Sequence, residues 1–379
     1  MNFMKADLLL VSKQSSFLKI ATIKNRCVWQ FFCQPLKKQS PSQDDIYLGK
    51  VVKITPQFIW VDIGDKNAGV LKRKKNEKPL LEGQKVIVQI SKQETMDAVS
   101  CKGPKLTRNI NLSGKFCIYH PFLQNTLFSE NLSDITKQKI LSIFGNHSGF
   151  TFRSSCDLLA DMDLLKKETK MIEERWDLVH RHSKVGLIES APTILERFLR
   201  DAVPEGEVIF DDIGILAAIK KNNCQFTFNS PDQFRIASLK EQPLFDFFGV
   251  QDDWTMLTES LIPLKTGGSL FIEETACVTT IDINAGDKSP EEINFQAIGP
   301  IIRQIRLRQL SGNIIIDFVR LQNEPKGRLL NEFKKQLAAE NTQNIKVMGW
   351  SHLGFLELQA PRYHDSLTTY LIQKAKKSP

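Results

Sequence analysis

The sequence has no run of about 18 apolar residues, the length a helix needs to cross a bilayer. Its 41% hydrophobic residues are spread over 379 positions in short stretches. A disulfide framework and a zinc ribbon are also missing. The seven cysteines (27, 33, 101, 117, 156, 224 and 277) are odd in number and contain no Cys-x-x-Cys pair, which suits a reducing cytoplasm. The six histidines are scattered, and His180 and His182, two apart, would diverge on a helix rather than share a metal. There is no glycine loop that cradles a nucleotide phosphate, no Ser-His-Asp or Cys-His arrangement and no internal repeat. The start of the chain does not read as a secretory signal, because its apolar stretch is short and follows Asp7. What remains is enough chain for about two to three domains with ordinary hydrophobic cores. Disordered, collagen-like and small secreted scaffolds are excluded.

Positive charge is concentrated at one end. Residues 1–110 hold 20 Lys and Arg against 9 Asp and Glu, whereas residues 111–379 hold 31 against 34. A basic segment on a near-neutral body points to an anionic partner held by one module. Residues 6–12 and 16–22 read as a first hairpin, and the polar stretch Lys37 to Asp45 as a linker. From Ile46, short alternating runs (IYLGKVVKI, FIWVDIG, AGVLKRK, KVIVQISK) are separated by turn residues, a pattern that predicts a small antiparallel barrel of the OB type. Tyr47, Phe58 and Trp60 sit there among Lys50, Lys53, Lys66 and the run Lys72 to Lys75. Aromatic rings for stacking and cations for phosphate are what single-stranded RNA binding needs. Alternation puts Phe58 and Trp60 on one face of their strand. Further on, the pattern predicts a helix near 133–143, a long helix over 157–182, and a compact apolar turn at 243–248.

The densest chemistry lies in residues 267–319. A strand, CVTTIDI, carries Asp282, with Asn284 two residues on. Pro290 starts a helix, with Glu291 and Glu292 in its first turn. Pro300 predicts a kink within it. A second strand, NIIIDFV, carries Asp317. A strand-helix-strand unit crosses over right-handedly and places its strands parallel. Asp282 and Asp317 are then expected at one sheet edge, a strand spacing of ~4.8 Å apart. Two carboxylates so close repel unless a cation lies between them. A hard ion such as Mg²⁺, with one or two protein carboxylates and otherwise water and phosphate oxygens, fits. Metal-assisted phosphodiester hydrolysis is the matching chemistry.

These segments resemble the ribonuclease E/G family. IDIN at 281–284 followed by RQIRLRQLSGNIIIDF at 303–318 is similar to that family's catalytic signature. ADLLL, IYLGKV, VDIG, EGQKVIVQI, KGPKLT, RFLRD with EVIFDD, PLFDFFG and IPLKTGGSLFIEET follow in the family's order. The resemblance implies an α+β multidomain fold. Residues 1–43 and 187–260 would form an RNase H-like scaffold, 44–107 an OB-fold barrel and 108–186 a 5′-sensor region. Residues 261–379 would form a DNase I-like catalytic domain. It implies a cytoplasmic, Mg²⁺-dependent endoribonuclease of rRNA or mRNA processing or decay. The cut would be made in single-stranded, AU-rich RNA by metal-activated water, leaving a 5′-phosphate and a 3′-hydroxyl. Asp282 and Asp317 would hold the metal, with Asn284 supporting. Arg153 and Ser154 would bind the substrate's 5′-monophosphate, and Lys102 would touch RNA near the barrel. The chain departs from the pattern in a shortened loop after Asp282, in Ala276 where an acid is usual, in Val70 where an aromatic is usual and in Arg320 where the family tends to an acid. The cysteine pair of the zinc-linked members is absent, so any homodimer would not be zinc-bridged. The departures motivate an alternative: a catalytically weak or inactive RNA-binding member.

Overall fold

The computed structural model of the chain describes residues 7–37, 41–74, 78–92, 95–97, 100–145, 148–201, 206–222, 233–237, 242–265, 267–275, 277–321, 323–340, 345–361, 366–368 and 370–371. The chain divides into two compact units. One is formed by residues 1–36, 204–213 and 232–379, the other by 37–203 and 214–231.

The second unit begins with the barrel. Strands Ile46–Ile54, Phe58–Asp62, Gly69–Lys72, Lys105–Thr107 and Lys85–Lys92 follow one another around it, and the first pairs with the last to close it. This closed five-stranded barrel is consistent with an OB-like domain. Alternation decides its inside: Ile59, Val61, Leu71, Val88 and Ile90 are buried. An edge strand, Gly186–Glu189, pairs antiparallel with Ile46–Ile54, and helix Ile194–Asp201 lies in the same unit. Residues 187–201 therefore group with the barrel.

The remainder of this unit packs a four-stranded sheet against two helices. Helix Asp134–Phe144 starts where Ser133 Oγ accepts from the Thr136 N–H. The long helix expected over 157–182 is instead a 3₁₀ turn, Ser154–Leu158, followed by helix Asp163–His180. The reason is a tertiary contact. Asp157 is engaged with Ser133, accepting from its hydroxyl at 2.5 Å and its N–H at 3.1 Å, so it serves the neighbouring helix start. Leu165, Ile172 and Val179, seven apart, then form the buried seam. Glu168 sits within that seam. Its carboxylate accepts the backbone N–H groups of Lys115, Phe116 and Cys117 at 2.6, 2.8 and 3.2 Å. A side chain at Gly114 would collide with that carboxylate at about 2.6 Å. Burial pushes the neighbouring Lys115 ammonium down to about 8, with Glu168 opposing the shift.

The first unit contains two sheets. In the five-stranded one the order is Phe234–Ile236, Glu207–Phe210, Leu8–Lys13, Phe17–Lys24, Cys27–Pro35. Glu207–Phe210 is parallel to Leu8–Lys13, so the sheet is assembled from chain segments about 200 residues apart in sequence. The second sheet runs Leu261–Pro263, Ser269–Glu274, Val278–Asn284, Gly312–Asp317, Leu356–Ala360, Lys346–Trp350. One of its faces is buried: Ile281, Ile283, Ile314, Ile316, Leu356 and Leu358 pack with helices Pro290–Leu307 and Asn323–Ala339 through Ile298, Ile302, Leu329 and Phe333. The first of these helices runs unbroken through Pro300. PLFDFF supplies a short helix, Leu244–Phe247, as part of a separate core with Phe31 and Trp254.

The arginines of the RQIRLRQL segment are struts. Arg303 pairs with Asp253 at 2.7 Å, and Arg306 donates to the Trp29 carbonyl, covers its ring at 3.7 Å and pairs with Glu340. Arg308, buried, donates to the carbonyls of Met256 and Glu259. Each spreads its fork over several acceptors, which is how a guanidinium tolerates burial.

Replacing Glu168 with Leu leaves three buried N–H donors unpaired, at about 1–3 kcal/mol each. A loss of at least ~3 kcal/mol in urea-denaturation stability is expected, and a loss below ~1 kcal/mol would show that the three bonds contribute little.

Candidate active site

Strands Val278–Asn284 and Gly312–Asp317 are parallel neighbours, joined through helix Pro290–Leu307. The register places Asp282 directly beside Asp317. Ile281, Ile283, Ile314 and Ile316 turn inward and the acids outward, with Ile315 half-buried on the outward side, so Asp282, Asn284 and Asp317 are all exposed on the open face of the sheet. The arrangement expected from the crossover rule is the one found.

Several devices hold this geometry. Ser289 caps the crossover helix by accepting from the Glu292 N–H at 3.3 Å, with Pro290 following as the first helical residue. Asn294, fully buried, donates to the Val319 carbonyl at 2.7 Å and accepts the Val319 N–H at 3.0 Å. The helix thereby grips the chain two residues after Asp317. Gly268 has φ +77°, and a Cβ there would lie 2.4 Å from the Asn284 carbonyl oxygen, so only glycine lets this turn approach the strand end. Sequence reasoning missed Asn294. Its signal was a polar residue on the apolar stripe, four before Ile298.

Electrostatically the pair is strained. Partial burial and then the charge of Asp282 raise the Asp317 carboxyl above its ordinary value. Among the described residues no group of three or more His, Cys, Asp or Glu side chains comes together as a metal cage. The donor set is two carboxylates and one amide, all oxygen ligands and open to water. That fits a hard divalent ion that keeps most of its positions for water and substrate oxygens.

The other candidates divide. Phe58 and Trp60 share the outer face of their strand, with ring centroids 6.2 Å apart and the Lys53 ammonium 5.8 Å from the Trp60 ring. Phe58 is 38% exposed and Trp60 half-buried, so both rings stay accessible. Tyr47 does not join them: it is 3% exposed, packed in the barrel core, and presents no face on which a base could stack. It sits on the inward set of the opposite alternation. Lys102 ends strand Ser100–Lys102, and its side chain lies outside the described residues, as does Ala276.

Arg153 is half-buried, and its Nη1 donates to the Gly114 carbonyl at 2.9 Å and to Asp201 Oδ1 at 2.6 Å. Arg200 also pairs with Asp201. Burial works to raise the Asp201 carboxyl, but Arg200 and Arg153 outweigh it and hold it below the ordinary value. Among the described residues the Arg153 Nε and Nη2 donors are left for another acceptor, and Ser154 beside them is exposed.

A model of the ribonuclease E/G family matches residues 111–363, well over half of the chain. The chain belongs to the ribonuclease E/G family, and by class it is an endoribonuclease of that type. It is similar to Ribonuclease G of Salmonella typhimurium, 26% identical over 376 residues, covering 85% of this chain and 73% of that protein. Ribonuclease G of Haemophilus influenzae is 27% identical over 367 residues with the same coverage. Ribonuclease E of Buchnera aphidicola subsp. Acyrthosiphon pisum is 28% identical over 416 residues, covering 95% of this chain and 44% of its own length.

Because burial and Asp282 raise the Asp317 carboxyl, the folded chain gives up this proton at a higher pH than the unfolded chain does, and the ionised pair costs stability above the folded-state value. The cost disappears as pH falls through it. Asp282→Asn removes the repulsion and should shift the Asp317 titration downward, read by carboxyl-carbon NMR. An unmoved titration would show that the two charges do not interact.

Proposed function

We propose that the chain is a Mg²⁺-dependent endoribonuclease that cuts single-stranded RNA to leave a 5′-phosphate and a 3′-hydroxyl. The observation that carries this reading is the in-register pair Asp282 and Asp317 on the open sheet face. Both carboxylates would hold the ion, and the Asn284 amide would orient one of them or a water. When bound, the ion supplies Lewis-acid polarisation of the phosphate and a more acidic water. The residues of the chain do the rest. Asp282 and Asp317 keep two negative groups fixed where the phosphodiester must arrive, and their charge repels a bare phosphate until a cation is present.

Supporting features lie elsewhere in the chain. Phe58, Trp60 and Lys53 give the barrel stacking faces and a cation, suited to single-stranded RNA. Arg153 and Ser154 suit a 5′-monophosphate. We read the five-stranded sheet as the RNase H-like scaffold and the six-stranded sheet as the DNase I-like catalytic domain. The setting is RNA processing or decay, of rRNA or mRNA, in the cytoplasm. Any homodimer forms without a zinc link.

The direct test incubates the purified protein with 5′-monophosphorylated single-stranded RNA, in Mg²⁺ or in chelator, and maps the product ends. Cleavage only with Mg²⁺, yielding 5′-phosphate ends, is expected. No cleavage under either condition, with salt-sensitive RNA binding intact, would leave the chain a non-cutting RNA binder.

Asp282→Asn and Asp317→Asn should each lower the cleavage rate by about 1000-fold or more, since several kcal/mol of charge stabilisation is removed. RNA affinity, measured by fluorescence anisotropy, should stay within a few-fold. Full activity of either variant would sink the two-carboxylate mechanism. Arg153→Ala should reduce the preference for 5′-monophosphorylated over 5′-hydroxyl RNA, and an unchanged ratio would show that this fork does not read the terminus.

A further inference from the structure

The open face of the catalytic sheet is not uniformly polar. Phe271 stands directly opposite Asp282 on the antiparallel neighbouring strand, and Leu261 stands opposite Phe271 on the strand beyond. Directly paired residues project from the same face. One row across the sheet therefore reads Leu261, Phe271, Asp282, Asp317. Phe271 is 37% exposed and Leu261 56% exposed. The flanking Leu270 and Ile272 are buried, so Phe271 takes the outward position by alternation and adds nothing to the core beneath. The neighbouring row on this face reads Glu273, Thr280, Ile315, Glu357, of which the three polar residues are exposed and Ile315 is half-buried.

We propose that Phe271 is a stacking platform for the base of a nucleotide adjoining the scissile phosphodiester, with Leu261 extending its apolar edge. The proposal rests on the RNA-cleavage reading and deepens it by naming a positioning residue. The strand that carries Phe271 lies one strand spacing, ~4.8 Å, from the strand of Asp282, so a phosphate brought to the two carboxylates carries its nucleotide next to the ring. Carboxylates repel RNA, and an uncharged ring beside them draws the chain inward without competing for the ion or pairing with the carboxylates. A ring stacks on any base, so the platform favours the presence of a base at that position over its identity.

The test uses short single-stranded RNA carrying an abasic site at successive positions around the mapped cleavage point. Binding is read by anisotropy with Asp282→Asn protein, and cleavage with otherwise unaltered protein. Phe271→Thr keeps a residue suited to a strand and removes the ring. It should weaken binding and raise KM by roughly 5- to 150-fold, the span of one base–aromatic stack, with kcat changed less. Phe271→Trp should restore both. One abasic position should impose a comparable loss on Phe271 protein and little further loss on Phe271→Thr. If the abasic penalty is the same in both proteins, or if Phe271→Thr binds and cleaves as before, the platform is refuted. It is equally refuted if Phe271→Thr dissociates a dimer in light scattering without altering abasic sensitivity, for the stripe is then a protein contact. Should the unaltered protein cleave no RNA, the nuclease reading falls by itself, and abasic sites placed in turn at every position of the RNA, read by binding, still decide on Phe271.

Discussion

Two like charges held side by side organise the chemistry of this protein. Carboxylates repel, and in a flexible chain Asp282 and Asp317 would move apart. Here the parallel ladder fixes them as register partners, and the ladder is fixed in turn by a continuous sheet and the crossover helix packed beneath it. Partial burial, and after it the charge of Asp282, raises the Asp317 carboxyl. The electrostatic cost of keeping such a pair exposed on a rigid sheet is offset during folding by burial of the sheet's other face.

The supports are made from different chemistry than the site. The sheet's buried side is isoleucine and leucine, whose burial drives the layer together without directing it. Direction comes from polar groups placed singly: Ser289 at the helix start, Asn294 clamped on both backbone groups of Val319, and Gly268 permitting close approach to Asn284. The barrel unit uses the same economy. Glu168 gathers three backbone N–H groups, and Asp201 gathers two guanidiniums. Buried ionic groups of this kind persist where their hydrogen bonds are all made.

The arginines of the RQIRLRQL segment show what charge in a sequence leaves unsaid. Nothing local marks them for burial, yet Arg306 and Arg308 are buried against backbone carbonyls and Arg303 is paired with Asp253. Tyr47 shows the same limit in reverse. It has the right ring for stacking and sits in the right barrel, but alternation along Ile46–Ile54 sends it inward, while Phe58 and Trp60 stay outside.

By itself the sequence determined the elements whose signals are local: the alternating barrel strands, the Ser-Pro-Glu-Glu start of the crossover helix, and the strand ends that carry Asp282 and Asp317. Parallel pairing followed because a crossover unit admits essentially one handedness. Tertiary structure alone decided what depends on partners distant along the chain. The sheet that joins Leu8–Lys13 to Glu207–Phe210, the grouping of residues 187–201 with the barrel, the diversion of Asp157 to a neighbouring helix start and the row that sets Phe271 beside Asp282 are of this kind. Periodicity reports which face of a strand is apolar. It carries no record of which other strand lies next to it, and that adjacency is what turns single side chains into a site.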